Sequence, residues 1–381
     1  MNSASAPAFH FSALLLYCRP GFEKECAQEI AAACTGQSVS GTVRSKPDAG
    51  YIEFVLHDSE AGGRLRAHIR FENLIFARQL IYAVPWIRDL PVTDRVGALL
   101  PAIAAIGTPF SAVWLETADT NEAKELGAFC RKFLAPLSFA LKKAALLRED
   151  EVGLPRLHLF FAGSTTVCIG VSDPDNASPW TMGVPRLSLP PHAPSRSTQK
   201  LAEALHLWLT PEADKRLLHE GTRAVDLGAA PGGWTWQLVR RGVHVTAVDN
   251  GPMAAKLLET GLVEQVHADG FRYRPPRPVS WMVCDMVEQP LRVAELVANW
   301  LADGHCAHSI FNLKLPMKKR YEEVERCRNA MRERWRAAGV TCELRFKHLY
   351  HDREEVTGYA CRVEASRKKR QPGHDQSACS P

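Results

Sequence analysis

The chain has 381 residues, of which 46% are hydrophobic and 23% charged, with a formal net charge of +5 at pH 7. This length favours two or three domains, and the composition is that of an ordinary globular protein. No run approaches the roughly 18 apolar residues of a membrane helix, and the N-terminus lacks a signal-peptide pattern. We therefore expect a cytoplasmic protein with no membrane contact.

The 11 cysteines are scattered, without a C-x-x-C pair or a cysteine and histidine cluster at zinc spacing. We interpret them as reduced, mostly buried thiols, which argues against a structural metal. The modest net charge says little about nucleic acid by itself.

The N-terminal half alternates strand-like and helix-like runs. A strand at 13–17, a helix at 23–33 and a strand at 51–56 predict a small α+β domain over residues 1–90. Residues 91–172 form a second mixed block with a helix at 96–106, a strand at 112–116, two successive basic helices between 122 and 143, and strands near 157–161 and 167–171. Nothing in this half indicates catalysis.

Prolines crowd residues 173–194, where their fixed φ angles and missing N–H donors exclude regular structure. We predict a semi-rigid linker there. An α/β block follows over residues 195–363 and begins with a helix at 198–209. The polar, basic tail at 364–381 is expected to be disordered.

Residues 224–253 are typical of a strand, turn, helix and second strand that hold a nucleoside. Glycines Gly228, Gly232 and Gly233 follow the first strand, and Asp249 ends the second. A carboxylate about 20 residues past such a turn can accept hydrogen bonds from both ribose hydroxyls. The run GAAPGG lacks the G-x-G-x-x-G pattern that binds a pyrophosphate, which favours S-adenosylmethionine, a nucleoside without phosphates. The alternative is an ordinary βαβ turn with incidental glycines.

Four more charged residues lie at the ends of β-rich runs, where doubly wound sheets bind ligands. Asp269, Asp285 and Lys314 follow such runs, and Glu355 begins the last one. Asp269 is placed to accept a hydrogen bond from the amino group of adenine. Taken singly, each is equally well explained as a surface or capping charge.

Together these segments resemble the ribose 2′-O-methyltransferases that use a Lys-Asp-Lys-Glu tetrad. The resemblance rests on SRSTQKLAE from residue 195, DLGAAPGGW, and the runs that contain the later charged residues, and it places the tetrad on Lys200, Asp285, Lys314 and Glu355. The runs CRPGFEKE from residue 18, FNLKLPMKKRYEEV from residue 311 and LYHDREEVT from residue 349 are similar to the bacterial ribosomal RNA large subunit methyltransferase M family.

The resemblance implies an α/β Rossmann-like methyltransferase domain over 195–363, preceded by a ferredoxin-like domain over 1–90 and a THUMP domain, a fold associated with RNA binding, over 91–172. It also implies that the target is the 2′-oxygen of a cytidine in large-subunit ribosomal RNA. The cofactor contacts it implies are Ser197, Gly228, Ala230, Pro231, Gly232, Gly233, Asp249, Asp269 and Asp285.

By the same resemblance Lys314 accepts the proton of the ribose hydroxyl, and Lys200, Asp285 and Glu355 orient it. A lysine can do so only as the neutral amine. Burial and a second cation lower its pKa, whereas carboxylates raise it, and the residue types leave that balance open. Alternatively, Lys314 only positions the oxygen and solvent takes the proton. Methyl transfer moves no phosphoryl group, so no metal is required.

Other functions compete with this interpretation. A nicotinamide oxidoreductase would need the missing glycine pattern, and methylation of a base would need an [Asn/Asp]-Pro-Pro-aromatic motif or a nucleophilic Pro-Cys, which the chain lacks. A non-catalytic RNA-binding or ribosome-assembly factor remains an alternative, although the complete tetrad weighs against it. We expect a monomer whose partner is large-subunit ribosomal RNA.

Two pairs of basic residues in the N-terminal half, Arg131-Lys132 and Lys142-Lys143, suggest that this half docks RNA by shape and phosphate. Solvated helix faces would give the same pattern.

Overall fold

A computed structural model describes residues 10–363, so the predicted tail at 364–381 lies outside the described residues. The first half contains β1 (Ala13–Tyr17), α1 (Glu23–Thr35), β2 (Gly41–Ser45), β3 (Tyr51–Leu56), α2 (Gly62–His68), β4 (Gln79–Ala83), α3 (Arg95–Ala104), β5 (Ala112–Thr117), α4 (Lys124–Lys143), β6 (Arg156–Gly163) and β7 (Thr166–Ser172). The second half contains α5 (Thr198–Trp208), α6 (Pro211–Leu217), β8 (Arg223–Leu227), α7 (Gly233–Val239), β9 (His244–Val248), α8 (Ala255–Leu258), β10 (Val263–Val266), β11 (Val279–Cys284), α9 (Pro290–Ala302), β12 (Cys306–Lys314), α10 (Arg320–Ala337), β13 (Cys342–Lys347) and β14 (Glu355–Arg362).

The first half folds around one seven-stranded sheet of order β2-β3-β1-β4-β7-β6-β5. All five residues of β1 are buried, because the strand lies inside the sheet and is covered on both faces. The succession β1-α1-β2-β3-α2-β4 is that of a ferredoxin-like unit, as expected. Since β4 pairs antiparallel with β7, the two predicted N-terminal domains share one continuous sheet. The THUMP assignment of the second stays a prediction.

The prediction of two successive helices between residues 122 and 143 is wrong, because α4 is one helix that continues through Pro136. Its buried residues are Cys130, Phe133, Leu137 and Leu141. They follow one another at intervals of three or four residues, so one apolar face runs unbroken past the proline and packs on the sheet.

The proline-rich segment at 173–194 contains one short 3₁₀ turn, Thr181–Gly183. Its first part is fastened to the first sheet domain. Asp173 pairs with Arg66, and the side chain of Asn176 accepts a hydrogen bond of 2.8 Å from the backbone N–H of Phe71. These bonds hold the start of the segment in place without regular structure.

The second sheet has the order β10-β9-β8-β11-β12-β14-β13. The strands from β10 to β12 are parallel, whereas β14 runs antiparallel to β12 and to β13. Helices cover the sheet, as the Rossmann-like prediction requires. This topology confirms the expected α/β class.

The two halves meet along β13 and the loop that follows it. Lys347 donates a hydrogen bond of 2.8 Å to the carbonyl of Leu74, and the backbone N–H of His348 donates one of 2.8 Å to the carbonyl of Ile75. Arg19 donates to the carbonyl of Asp352 at 2.8 Å. The N-terminal half therefore holds the loop that leads into β14.

None of the helices within the described residues combines the length and apolarity of a bilayer span. The cysteines of this part of the chain are free thiols, most of them buried, as expected.

Candidate active site

The predicted site residues meet at the carboxyl edge of the second sheet. Because β8, β9, β11 and β12 run parallel, the glycine turn after β8, Asp249 after β9 and Asp285 after β11 all leave at this edge. Lys314 is the last residue of β12. The first residue of β14, Glu355, pairs with it across the antiparallel register, so two residues distant in sequence become neighbours.

The structure brings the four tetrad residues together in a ring in which amines and carboxylates alternate. Lys314 Nζ lies 2.5 Å from Asp285 Oδ1 and 3.2 Å from Glu355 Oε2. Lys200 Nζ contacts Glu355 and lies 3.8 Å from Asp285 Oδ2. Their side chains are 12–21% exposed, so the ring is largely shielded yet open on one side.

Helix α5 positions Lys200, which lies in its first turn. One turn later, Glu203 accepts hydrogen bonds from the backbone N–H groups of Tyr350 at 2.8 Å and His351 at 3.0 Å. These residues belong to the loop that leads into Glu355. The helix and the loop are therefore fixed to each other, and so are the two tetrad residues they carry.

A buried network, which the sequence did not reveal, supports Asp285. Asn312 Nδ2 donates to Asp285 Oδ1 at 2.8 Å, and Thr357 Oγ1 lies 2.7 Å from Asn312 Oδ1 and 2.9 Å from Asp352 Oδ2. Burial, and then the charge of Glu355, raises the pKa of Asp352 well above its ordinary value. A protonated Asp352 can donate to the Thr357 hydroxyl, which leaves the hydroxyl proton for Asn312. The sequence signal that could have indicated this network was the polar residue Asn312 between the apolar residues Phe311 and Leu313 of β12.

The charges around Lys314 settle the direction of its pKa. Burial lowers the pKa of the amine, but the negative charges and hydrogen bonds of Asp285 and Glu355 outweigh it, so the pKa is raised. Burial raises the pKa of Glu355, but the positive charges of Lys314 and Lys200 lower it by more. The pKa of Glu355 therefore falls below its ordinary value. With only the chain's own groups present, Lys314 is a cation between two anions.

The glycine turn brings the backbone close to the start of α5. Gly232 has φ +112°, a conformation open to glycine but not to other residues, and it directly precedes α7. A Cβ atom on Gly233 would lie 2.3 Å from the hydroxyl oxygen of Ser197. The turn and Ser197 are thus in direct contact, as a shared ligand site requires.

Asp249 is oriented by the same turn. Its Oδ2 accepts a hydrogen bond of 3.0 Å from the backbone N–H of Ala230, and its Oδ1 accepts one of 2.7 Å from Gly251. Each carboxylate oxygen keeps a second lone pair. Asp249 can therefore still accept hydrogen bonds from two hydroxyls.

Asp269 lies on the rim of this region. Its side chain is 52% exposed, lies 3.5 Å from Arg272 Nε and accepts a hydrogen bond of 2.9 Å from the backbone N–H of Phe271. The structure thus leaves it accessible to a ligand, although it is less enclosed than Asp249.

Asp226 is a further acidic residue that our sequence analysis did not single out. It is buried within β8, and Thr235 Oγ1 donates to its Oδ2 at 2.6 Å, whereas its Oδ1 has no partner among the described residues. Burial, with added repulsion from Asp285 and Asp249, raises its pKa to about 7. The sequence signal that could have indicated Asp226 was its position just before the glycine turn.

In residues 10–363 no group of three or more His, Cys, Asp or Glu side chains is arranged to hold a metal ion. The carboxylates of Asp285 and Glu355 are engaged by lysines instead.

The two predicted basic pairs of the N-terminal half lie on the single helix α4, and all four residues are exposed. Arg131 and Lys142 are 11 residues apart, which is about three turns, so they lie on the same side of the helix. Lys142 is paired with Glu149 at 2.6 Å. The helix offers a basic stripe next to the first sheet.

Three family models match the chain in succession. Residues 11–81 match the RlmM ferredoxin-like domain, residues 94–173 match the N-terminal domain of ribosomal RNA large subunit methyltransferase M, and residues 193–315 match the FtsJ-like methyltransferase. The third model covers Lys200, Asp285 and Lys314 but ends before Glu355.

Curated relatives match almost the whole chain. Ribosomal RNA large subunit methyltransferase M of Methylococcus capsulatus is 55% identical over 91% of this chain and 97% of its own length. The proteins of the same name from Thauera aminoaromatica and Azoarcus sp. are 49% and 50% identical over 93% and 94% of this chain and over 97% and 98% of their own lengths.

Proposed function

Because the chain belongs to the ribosomal RNA large subunit methyltransferase M family, we propose that it transfers a methyl group from S-adenosylmethionine to the 2′-oxygen of a cytidine in large-subunit ribosomal RNA. That the chain is a methyltransferase follows from its relatives and its FtsJ-like domain. The finer proposal is carried by one observation. The amine of Lys314 lies between the carboxylates of Asp285 and Glu355, at the sheet edge that also holds the glycine turn.

The cofactor proposal is supported by the charges around the turn. S-adenosylmethionine, when bound, supplies a methyl group on a positively charged sulfonium. Asp226, Asp249 and Asp285 are close enough that the latter two raise the pKa of the first. Asp285 is paired with Lys314 and Lys200, so the carboxylate of Asp249, which makes no ion pair within residues 10–363, supplies the negative charge that favours a cationic ligand. The missing G-x-G-x-x-G pattern weighs against a nicotinamide dinucleotide.

Asp249 is the proposed acceptor for the two ribose hydroxyls of the cofactor, with Ser197, Asp269 and the turn 230–233 around it. The backbone bonds from Ala230 and Gly251 fix the direction of its carboxylate. The site is therefore largely preformed, which reduces the entropy cost of binding.

Lys314 is the proposed proton acceptor. Its pKa, raised by Asp285 and Glu355 despite burial, has to fall before the amine is neutral. The positive charge of a bound sulfonium is a physical cause for such a fall, and it acts only when the cofactor is in place. In the alternative, Lys314 stays charged and positions the ribose oxygen while solvent takes the proton.

We assign RNA docking to the N-terminal half, with α4 as its basic contact. The two halves are joined by buried hydrogen bonds such as that from Lys347 to Leu74, so RNA bound to one half lies at a set distance from the tetrad. We propose that the reaction takes place in the cytoplasm and that the protein is a monomer.

The cofactor proposal is tested by melting temperature. S-adenosylhomocysteine is expected to raise it, whereas NADH is not, because ligand binding to the folded state stabilises it by mass action. Asp249→Ala should remove most of the shift. Glu212→Ala, an exposed change in α6 before β8 and so near the opposite edge of the sheet, should keep it. A shift with NADH alone would reject the cofactor.

The substrate proposal is tested with labelled S-adenosylmethionine and unmodified large-subunit ribosomal RNA, offered naked and as assembled subunits. We expect label in the RNA with wild type and, over the same time, about 10² to 10⁴ times less with Lys314→Ala. Binding of both RNAs without transfer would instead favour the assembly-factor alternative.

A further inference from the structure

The residues next to the tetrad include two of the most exposed large hydrophobic side chains of the described chain. Met317 is 92% exposed and Val287 89% exposed; among the described residues only Val152, at 102%, exceeds them. Met317 follows Lys314 by three residues, and Val287 follows Asp285 by two. Because β11 and β12 are neighbouring parallel strands, both loops leave the sheet at the edge where the tetrad lies.

The loop that carries Met317 is exposed at its tip and anchored at both ends. Residues 316–319 are all exposed. On one side, the backbone N–H of Leu315 donates to the carbonyl of Glu354 at 2.8 Å. On the other side, Arg320 pairs with Glu354 at 2.7 Å and donates to the carbonyl of Gly21 at 3.1 Å. A tip held in this way stays in place while it faces solvent.

The charge of this tip is positive. Lys318 and Lys319 follow Met317, and neither makes an ion pair with any residue of the described chain. Lys319 also has φ +58°, a backbone conformation that is costly for a residue other than glycine. An apolar side chain and two cationic side chains therefore follow one another in a loop at the sheet edge that holds the tetrad, a combination that suits contact with a nucleic acid.

We propose that Val287 and residues 316–319, which we call the rim, grip the target nucleotide of the RNA. Met317 and Val287 contact the base, and Lys318 and Lys319 contact the neighbouring phosphates. This inference rests on the proposed function, since it assumes that the ribose of that nucleotide lies on the tetrad.

The chemistry of the rim suits a nucleotide taken out of its stack. An unstacked base exposes an apolar face, and side chains such as methionine form apolar contacts with bases in many nucleic-acid complexes. Lysine side chains can neutralise the neighbouring phosphates of the same strand. A base held beside Lys314 would be fixed in position for transfer to its 2′-oxygen.

The test compares methyl transfer to unmodified large-subunit ribosomal RNA by wild type and by variants of the rim. We expect Met317→Ala to lower kcat/KM by about tenfold, the loss that corresponds to uncovering one buried apolar side chain, and Met317→Leu to restore most of it. Val152→Ala, an equally exposed apolar change in the N-terminal half, is the matched control and should match wild type.

The role of Lys318 and Lys319 is tested by the salt dependence of RNA binding. The double variant Lys318→Ala, Lys319→Ala should bind the RNA more weakly, with a slope of log affinity against log salt that is shallower by about one or two units. Lys215→Ala, an exposed lysine of α6 near the opposite edge of the sheet, should leave the slope unchanged. The shift of melting temperature with S-adenosylhomocysteine should remain in every variant.

The outcomes separate this inference from the proposed function. If wild type methylates the RNA and Met317→Ala equals Val152→Ala, the rim has no such role although the function stands. If wild type transfers no methyl group, the proposed function fails, and RNA binding by the same variants, measured without cofactor, still decides whether the rim contacts RNA. Loss of S-adenosylhomocysteine binding in Met317→Ala would also overturn the inference.

Discussion

The ion pairs of Lys314 determine how its reaction should depend on pH. Burial lowers the pKa of this amine, but Asp285 and Glu355 raise it by more, so the net pKa lies above its ordinary value. The neutral amine is therefore scarce at neutral pH. If Lys314 accepts the proton, the single-turnover rate of wild type should rise with pH until the amine is neutral. Lys314→Ala should lose about 10² to 10⁴ in rate, as for other general bases, together with this ionisation.

Lys215→Ala, an exposed change on α6 near the opposite edge of the sheet, provides the control for that profile. A variant Lys314→Ala that is slow but rises with pH along the wild-type slope would show that solvent takes the proton.

At the scale of single residues, the local patterns left each charged residue equally well explained as a surface or capping charge, and only through the resemblance to the ribose 2′-O-methyltransferases could the tetrad be predicted. The support for Asp285 could not, because Asn312 and Thr357 meet only through the register of β12 with β14, which is set by long-range pairing. The direction of the Lys314 pKa was also out of reach, since it depends on the distances of 2.5 Å and 3.2 Å to its two carboxylates.

At the scale of elements, α4 is the element whose charge we expect to affect RNA binding. Replacing Arg131, Lys132, Lys142 and Lys143 by glutamate should weaken binding to large-subunit ribosomal RNA and flatten its salt dependence, because each contact with a phosphate releases counterions. These side chains point away from the buried face of the helix, so folding and cofactor binding should be unchanged.

The matched control is Lys215→Glu on α6, which lies in the other half of the chain. If the α4 variant shows the same dependence of RNA affinity on salt as wild type, these four residues are only part of a solvated surface and do not contact RNA.

Most elements could be predicted from their periodicity, and the errors have physical causes. The break predicted within α4 is absent, because the apolar face of Cys130, Phe133, Leu137 and Leu141 keeps the helix whole. The continuity of the first sheet depends on pairing between Tyr82 and Val171. Residues so far apart in sequence leave no local signal of their contact.

At the scale of the whole molecule, the junction between the halves contains a buried lysine whose removal should be costly. Lys347 donates to the carbonyl of Leu74 at 2.8 Å. Burial lowers its pKa to about 8 against the attraction of Glu29, and burial raises the pKa of Glu29 to about 7. Lys347→Met leaves the carbonyl without its donor and Glu29 without a counter-charge.

We expect this variant to lower the free energy of unfolding by about 3 kcal/mol, measured by urea denaturation. Lys24→Met, an exposed change on α1, should stay within about 0.5 kcal/mol of wild type. A stability of Lys347→Met equal to that of the control would mean that Lys347 does not stabilise the junction and that the other contacts between the halves suffice.

The position of the transferred methyl group tests the central claim most directly. Large-subunit ribosomal RNA labelled by the purified protein is digested with alkali, which cleaves a phosphodiester only where the neighbouring 2′-hydroxyl is free. We predict that the label lies in an alkali-resistant dinucleotide at a single cytidine and that Lys314→Ala yields at least about a hundredfold less of it in the same time. Label that is released in an ordinary mononucleotide would place the methyl group on a base and contradict the assignment of the tetrad to ribose methylation.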